Sequence, residues 1–93
     1  MGDTTCLMDK QWTVPGFVIA TSVDDSLVVL NLNSKRYYIL NDTAGVIWHR
    51  IVEGKTESEI VDLMVLEYDA SRERISAGVS RTVDALERAN LIQ

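Results

Sequence analysis

The sequence predicts an α+β domain, with three antiparallel strands followed by three helices. Three observations carry that prediction. The hydrophobic period changes from about two to about 3.6 at Asn41. Two tight connections in a row, Asp24-Asp25 and Asn33-Ser34, precede the change. After it no further strand pattern appears, so the elements are segregated rather than alternating.

Residues 1 to about 13 are polar and weakly patterned and read as an N-terminal arm, with the domain proper over 14–93. Phe17 to Val23 is rich in β-branched residues and reads as the first strand. The run Ser26 to Leu32 is the second, apolar at Val28, Leu30 and Leu32 and again at Leu27 and Val29. Only Asn31 interrupts that second set, which makes this strand the most deeply buried. Lys35 to Leu40 is the third strand. As the last of a meander it lies at a sheet edge, where unpaired backbone groups can accept another strand.

Asn41 caps the first helix, Asp42 suits the positive end of its dipole, and Val46, Ile47, Trp48 and Ile51 form its apolar stripe, with Gly54 as its end. Gly45 inside this helix costs about 1 kcal/mol relative to alanine, and close approach of another backbone would explain it. Thr56-Glu57-Ser58-Glu59 is a capping box that opens a second helix running to about Tyr68. Its apolar residues cover most of its circumference, so it must touch more than one neighbour. A third helix, from Arg72 or Ser76 to Asn90, has a core stripe of Ile75, Val79, Val83 and Leu86. Beside that stripe runs a row of small residues, Gly78, Thr82, Ala85 and Ala89.

Bulk properties exclude several classes. Ninety-three residues make one domain. No apolar run approaches the ~20 residues of a membrane span, and no secretory signal opens the chain, so a cytoplasmic address is expected. Gly2 is followed by a sequence that misses the myristoylation pattern by one place. A net charge of −5 disfavours polyanions. A winged-helix DNA-binding regulator fits the helix order, but phosphate neutralisation dominates such affinity and the charge opposes it.

Catalytic chemistry finds little support. His49 is the only histidine and Cys6 the only cysteine, so neither a His-His zinc site nor an internal disulfide can form. A structural position for His49 and a free thiol at Cys6 suffice, and no enzymatic activity, metal or cofactor is expected. The five glycines are scattered, without a phosphate loop. Asp24-Asp25 is explained by its turn. Arg72, Arg74, Arg81 and Arg88 form a basic stripe on the third helix. A solvated face accounts for most of it, since Asp84 is placed to pair with Arg88; Arg81 is the candidate charged contact. Tyr37 and Tyr38 point to opposite faces of their strand. Tyr38 and Leu40 are assigned to the helix side, and Tyr37 and Ile39 to the other.

Tyr38-Ile39-Leu40-Asn41, Gly45 and Trp48, then Gly54-Lys55-Thr56 opening a helix and a Leu86, Leu91, Ile92 close, together resemble the PqqD-like family. These are leader-peptide recognition elements for ribosomally made, modified peptides. The likeness runs from about Phe17 to Ile92 and is strongest to the stand-alone members of lasso-peptide pathways. It implies a winged-helix-like fold that holds a precursor's leader as a strand beside the third strand, in a groove walled by the third helix. On matching positions the edge is Lys35, Arg36, Tyr37, Tyr38, Ile39 and Leu40, and the wall is Val79, Thr82, Val83 and Leu86. The implied partners are the leader peptide, a separate leader peptidase and a cyclase, with the protein itself non-catalytic; exposed sheet edges permit pairing between copies, and a monomer is expected when leader is bound. A leader carrier partnered with a radical enzyme is the neighbouring reading.

Overall fold

The computed structural model describes residues 11–93. Its elements are β1 (Val18–Val23), β2 (Ser26–Asn31), β3 (Arg36–Leu40), α1 (Asp42–Val52), α2 (Glu57–Glu67) and α3 (Arg72–Arg88). The strands form one antiparallel sheet in the order β1-β2-β3, so β3 has no neighbour on its outer side. The expected α+β architecture is therefore present, with three helices following the sheet.

Register settles the faces. Leu27 pairs with Leu40, Val29 with Tyr38 and Asn31 with Arg36, and this set faces the helices. The alternate set, Val28 with Ile39 and Leu30 with Tyr37, faces away. Leu27 and Val29 are buried and Tyr38 and Leu40 pack partly against the core, while Tyr37 and Ile39 stay 65% and 63% exposed. The division of the two tyrosines is the one expected. Leu32 departs from expectation: it falls in the β2–β3 turn and is exposed, because β2 ends at Asn31.

Each helix is started by its own cap. Asn41 Oδ1 accepts from the Ala44 amide at 2.8 Å. The Thr56–Glu59 capping box is closed in both directions, and the Ser71 hydroxyl accepts from the Arg74 amide at 3.2 Å, fixing the start of α3 at Arg72. At the far ends, Gly54 (φ 89°) and Asn90 (φ 59°) take the left-handed conformation. The amides that follow them fold back, Lys55 to the Arg50 carbonyl and Leu91 to the Leu86 carbonyl, each at 3.0 Å. Paired with Gly54 to Ile51 and Asn90 to Glu87, these are two Schellman closures. The second one delivers Leu91 and Ile92 into the core.

Two further expectations change. Trp12, read as part of a polar arm, is buried, and its Nε1–H donates to Glu87 Oε2 at 3.1 Å. Thr13 and Gln93 exchange two backbone hydrogen bonds of 2.9 Å, so the chain is packed from Trp12 onward. A lone indole has no period to reveal this, and its partners lie at the other end of the sequence. Gly45 does not meet a backbone: a Cβ there would lie 4.0 Å from the Leu27 side chain, an ordinary contact. Finally, α2 does touch both α1 and α3, yet Leu66 is 83% exposed, so the apolar surface of α2 exceeds what its neighbours cover.

Candidate functional site

The two walls of the candidate site are β3 and α3, and they run in opposite directions. Asn31, paired with Arg36 at the start of β3, donates from Nδ2 to the Ala89 carbonyl at the end of α3. Thr43, just past the end of β3, shares a cleft with Gly78 and Val79 from the first half of α3. Between these two ties no Cα of β3 comes within 8 Å of a Cα of α3. Paired strands lie ≈ 4.7–4.9 Å apart, so α3 does not occupy the outer edge of β3, which stays unpaired.

The α3 wall is built by helical periodicity. Ile75, Val79, Val83 and Leu86 are the buried stripe. Turning away from that stripe come the small residues Thr82, Ala89, Gly78 and Ala85, half-buried or exposed, and then Arg74, Arg81 and Arg88. Gly78 lines a cleft with Thr43 at the start of α1 and the Ala89 carbonyl takes the Asn31 side chain of β2, which puts the small row on the β3 side of α3.

Of the residues expected to form the wall, Thr82 lies on this row and Val79 lines the cleft at its end from a buried position. Val83 and Leu86 belong to the core and offer little surface. Lys35 falls in the turn before β3, at φ 63°, so the strand starts one residue later than expected. Lys35 and, on β3, Arg36, Tyr37 and Ile39 are exposed and Tyr38 and Leu40 half-buried, with Arg36, Tyr38 and Leu40 on the helix side. Arg81 is exposed, one heptad beyond Arg74 on the same line of the helix.

Just past the end of β3 lies a cleft of about 290 Å³ lined by Thr43, Met64, Tyr68, Arg74, Ile75 and Gly78, among others. The sequence reading did not assign Thr43, Met64, Tyr68 or Arg74 to a site. Gly78 was the available signal: a glycine inside a helix is unfavourable, and a Cβ here would meet nothing within 4 Å.

Other candidates are accounted for by structure. His49 is exposed on α1, beside a second cleft at the β1–β2 hairpin that Asp24, Asp25 and Asp42 also line. Asp24 takes φ 56° in that hairpin turn, a conformation aspartate tolerates. Arg88 pairs with Asp84 at 3.1 Å, as its spacing suggests. Among the described residues no group of three His, Cys, Asp or Glu side chains could hold a metal ion, and no helix is long and apolar enough to cross a membrane. Cys6 lies outside the described residues.

The fold is a small α+β domain with an unpaired sheet edge beside its last helix, and comparison with known proteins gives the family. The model of coenzyme PQQ synthesis protein D (PqqD) matches residues 26–92, and the chain belongs to that family. No curated protein sequence matches the chain. Among solved structures, TbiB1 in complex with the TbiA(beta) leader peptide is 29% identical with a TM-score of 0.81, over 86% of this chain and 93% of that one. Lasso peptide synthetase B1 complexed with the leader peptide has a TM-score of 0.85 at 21% identity, over 90% of this chain and 99% of that one, a likeness of fold.

Proposed function

We propose that this protein binds the leader segment of a ribosomally made precursor as an added strand along β3, and presents it to a separate leader peptidase and cyclase in a lasso-peptide pathway. One observation carries the reading: β3 is an edge strand whose outer side is unpaired and is not approached by the α3 backbone. Family membership and the 29% identity to TbiB1, itself solved with a leader peptide, support it.

The energetics assign separate work to the two walls. Four or five strand-pairing hydrogen bonds contribute roughly 0.5–1.5 kcal/mol each and discriminate weakly among sequences. Sub-micromolar affinity needs more than about 8 kcal/mol. The remainder comes from leader side chains that enter the space beside Gly78, Thr82 and Ala85 and the cleft at Tyr68. The protein acts by holding and orienting, as a monomer in the cytoplasm, without chemistry of its own.

Titration of the protein with a fluorescent leader peptide encoded beside its gene tests this reading. Saturable binding that Thr82→Trp weakens by about thirtyfold is the expected result. Binding unchanged by Thr82→Trp and Ala85→Trp would place the peptide elsewhere. Adding the purified leader peptidase, and separately a radical enzyme, then tells which receives the complex.

A further inference from the structure

The cations of this acidic protein are unevenly committed. Arg50 is bound to Glu53 and Glu67, Arg72 to Asp62 and Arg88 to Asp84. Among the described residues, that leaves Lys35, Arg36, Lys55, Arg74 and Arg81 without an ion-pair partner. Three of these five, Arg36, Arg74 and Arg81, lie on the two elements that bound the groove. Arg36 projects from the helix-facing side of β3, and Lys35 precedes it. Arg74 lines the cleft at the opposite end. Arg81 stands between those ends along α3, outside the small-residue row.

The carboxylates of the same elements look elsewhere. β3 carries none. On α3, Asp84 is occupied by Arg88, Glu87 receives the Trp12 indole, and Glu73 lies in a cleft shared with Glu57 of α2, away from β3. Asp24, Asp25 and Asp42 gather around the hairpin cleft, which meets β3 only at its last residue, Leu40. A chain of net charge −5 thus presents a groove flanked by uncompensated positive charge.

From this placement we infer that the peptide segment held between β3 and α3 is acidic, with carboxylates at its two edges meeting Arg36 on one side and Arg81 and Arg74 on the other. The inference rests on the leader-binding reading and adds the chemistry of the ligand to it. Uncompensated guanidinium groups around a groove attract carboxylates and repel cationic segments, so they select as well as bind. They also steer encounter: the net charge repels an acidic peptide at long range, and only the groove reverses the sign locally.

A displayed library of random peptides, selected on the full chain, gives the test without a known leader. Wild-type binders should be enriched in Asp and Glu over the unselected library. For one such peptide, the double variant R36E/R81E should bind about tenfold more weakly at low ionic strength, with the difference shrinking toward unity in high salt. Lys55→Glu, which removes an equally free cation away from the groove, should leave affinity within about twofold. Binders that Thr82→Trp blocks but that show no acidic bias would overturn this inference and leave the groove intact. An equal loss in Lys55→Glu would overturn it too, by tracing the effect to net charge. Failure to recover any binder, or binders indifferent to Thr82→Trp, would overturn the groove reading and this inference together.

Discussion

The Asn31 side-chain amide joins the β2–β3 turn to the end of α3. Its Nδ2 donates to the Ala89 carbonyl at 3.1 Å, while its Oδ1 accepts from the amides of Asn33 and Ser34 at 2.9 and 3.0 Å. Asn31 is only 2% exposed, so each of these bonds is made where water does not compete freely. One side chain therefore sets both the turn that launches β3 and the spacing of β3 from α3 at that end of the groove.

Replacing Asn31 should be costly for that reason. Asn31→Ala removes three hydrogen bonds and leaves buried partners unpaired, for a loss of about 2–4 kcal/mol. Urea unfolding followed by circular dichroism measures it. Asn31→Asp keeps the acceptor for the turn but sets a carboxylate against the Ala89 carbonyl, and should be no more stable than the alanine variant. A loss below about 0.5 kcal/mol in both would show that the tie contributes little.

Trp12 offers a second test, because its role is invisible in local pattern. It is buried in the same core as Leu91 and Ile92, and Thr13 beside it pairs with Gln93. Trp12→Ala should destabilise by about 3–5 kcal/mol, in the range of other buried aromatic truncations. Trp12→Phe keeps most of the packing and loses the bond to Glu87, so a loss near 1 kcal/mol is expected. A Trp12→Ala variant that melts with the wild type would return these residues to the status of a loose arm.

What the sequence makes legible follows from range. Asn41, Thr56, Glu59 and Ser71 act on amides three residues away, so helix starts can be read from adjacent letters. Strand faces are read from alternation, which is how Tyr38 and Tyr37 were divided. Trp12 with Glu87, 75 residues on, and Asn31 with Ala89, 58 residues on, are contacts that no local period encodes. The same limit applies at the groove. A helical stripe identifies Val79, Val83 and Leu86 as one face, but only packing shows that this face is spent on the core. The neighbouring small row is what remains open.

That distinction separates two substitutions adjacent in sequence. Val83 is 5% exposed, and Val83→Asp would bury an unpaired carboxylate at a cost above about 3 kcal/mol. Its expected phenotype is loss of cooperative thermal unfolding, whatever peptide is present. Thr82→Trp, on the half-buried row, should preserve the far-ultraviolet spectrum and melting while weakening leader binding by about thirtyfold, the equivalent of one lost anchor. Equal effects of the two on both measurements would erase the proposed boundary between core and groove.

Gly78 brings stability and binding into opposition. Glycine inside a helix is unfavourable by roughly 0.5–1 kcal/mol relative to alanine, and nothing within 4 Å would obstruct a methyl group here. Gly78→Ala should therefore stabilise the free protein by that amount and raise its melting temperature by about 2–8 °C for a domain of this size. The position also lines the cleft with Tyr68, Arg74 and Ile75. If that space receives a leader side chain, the gain in stability comes with a loss in affinity, modest for Gly78→Ala and severe for Gly78→Leu. Melting curves with and without saturating leader peptide separate the two effects in one experiment. The expected outcome is a higher melting temperature alone and a smaller ligand-induced increase, since stabilisation by a ligand scales with its concentration over its dissociation constant. A Gly78→Leu variant that retains the full ligand-induced increase would show that the leader stops short of this cleft and is held along β3 only.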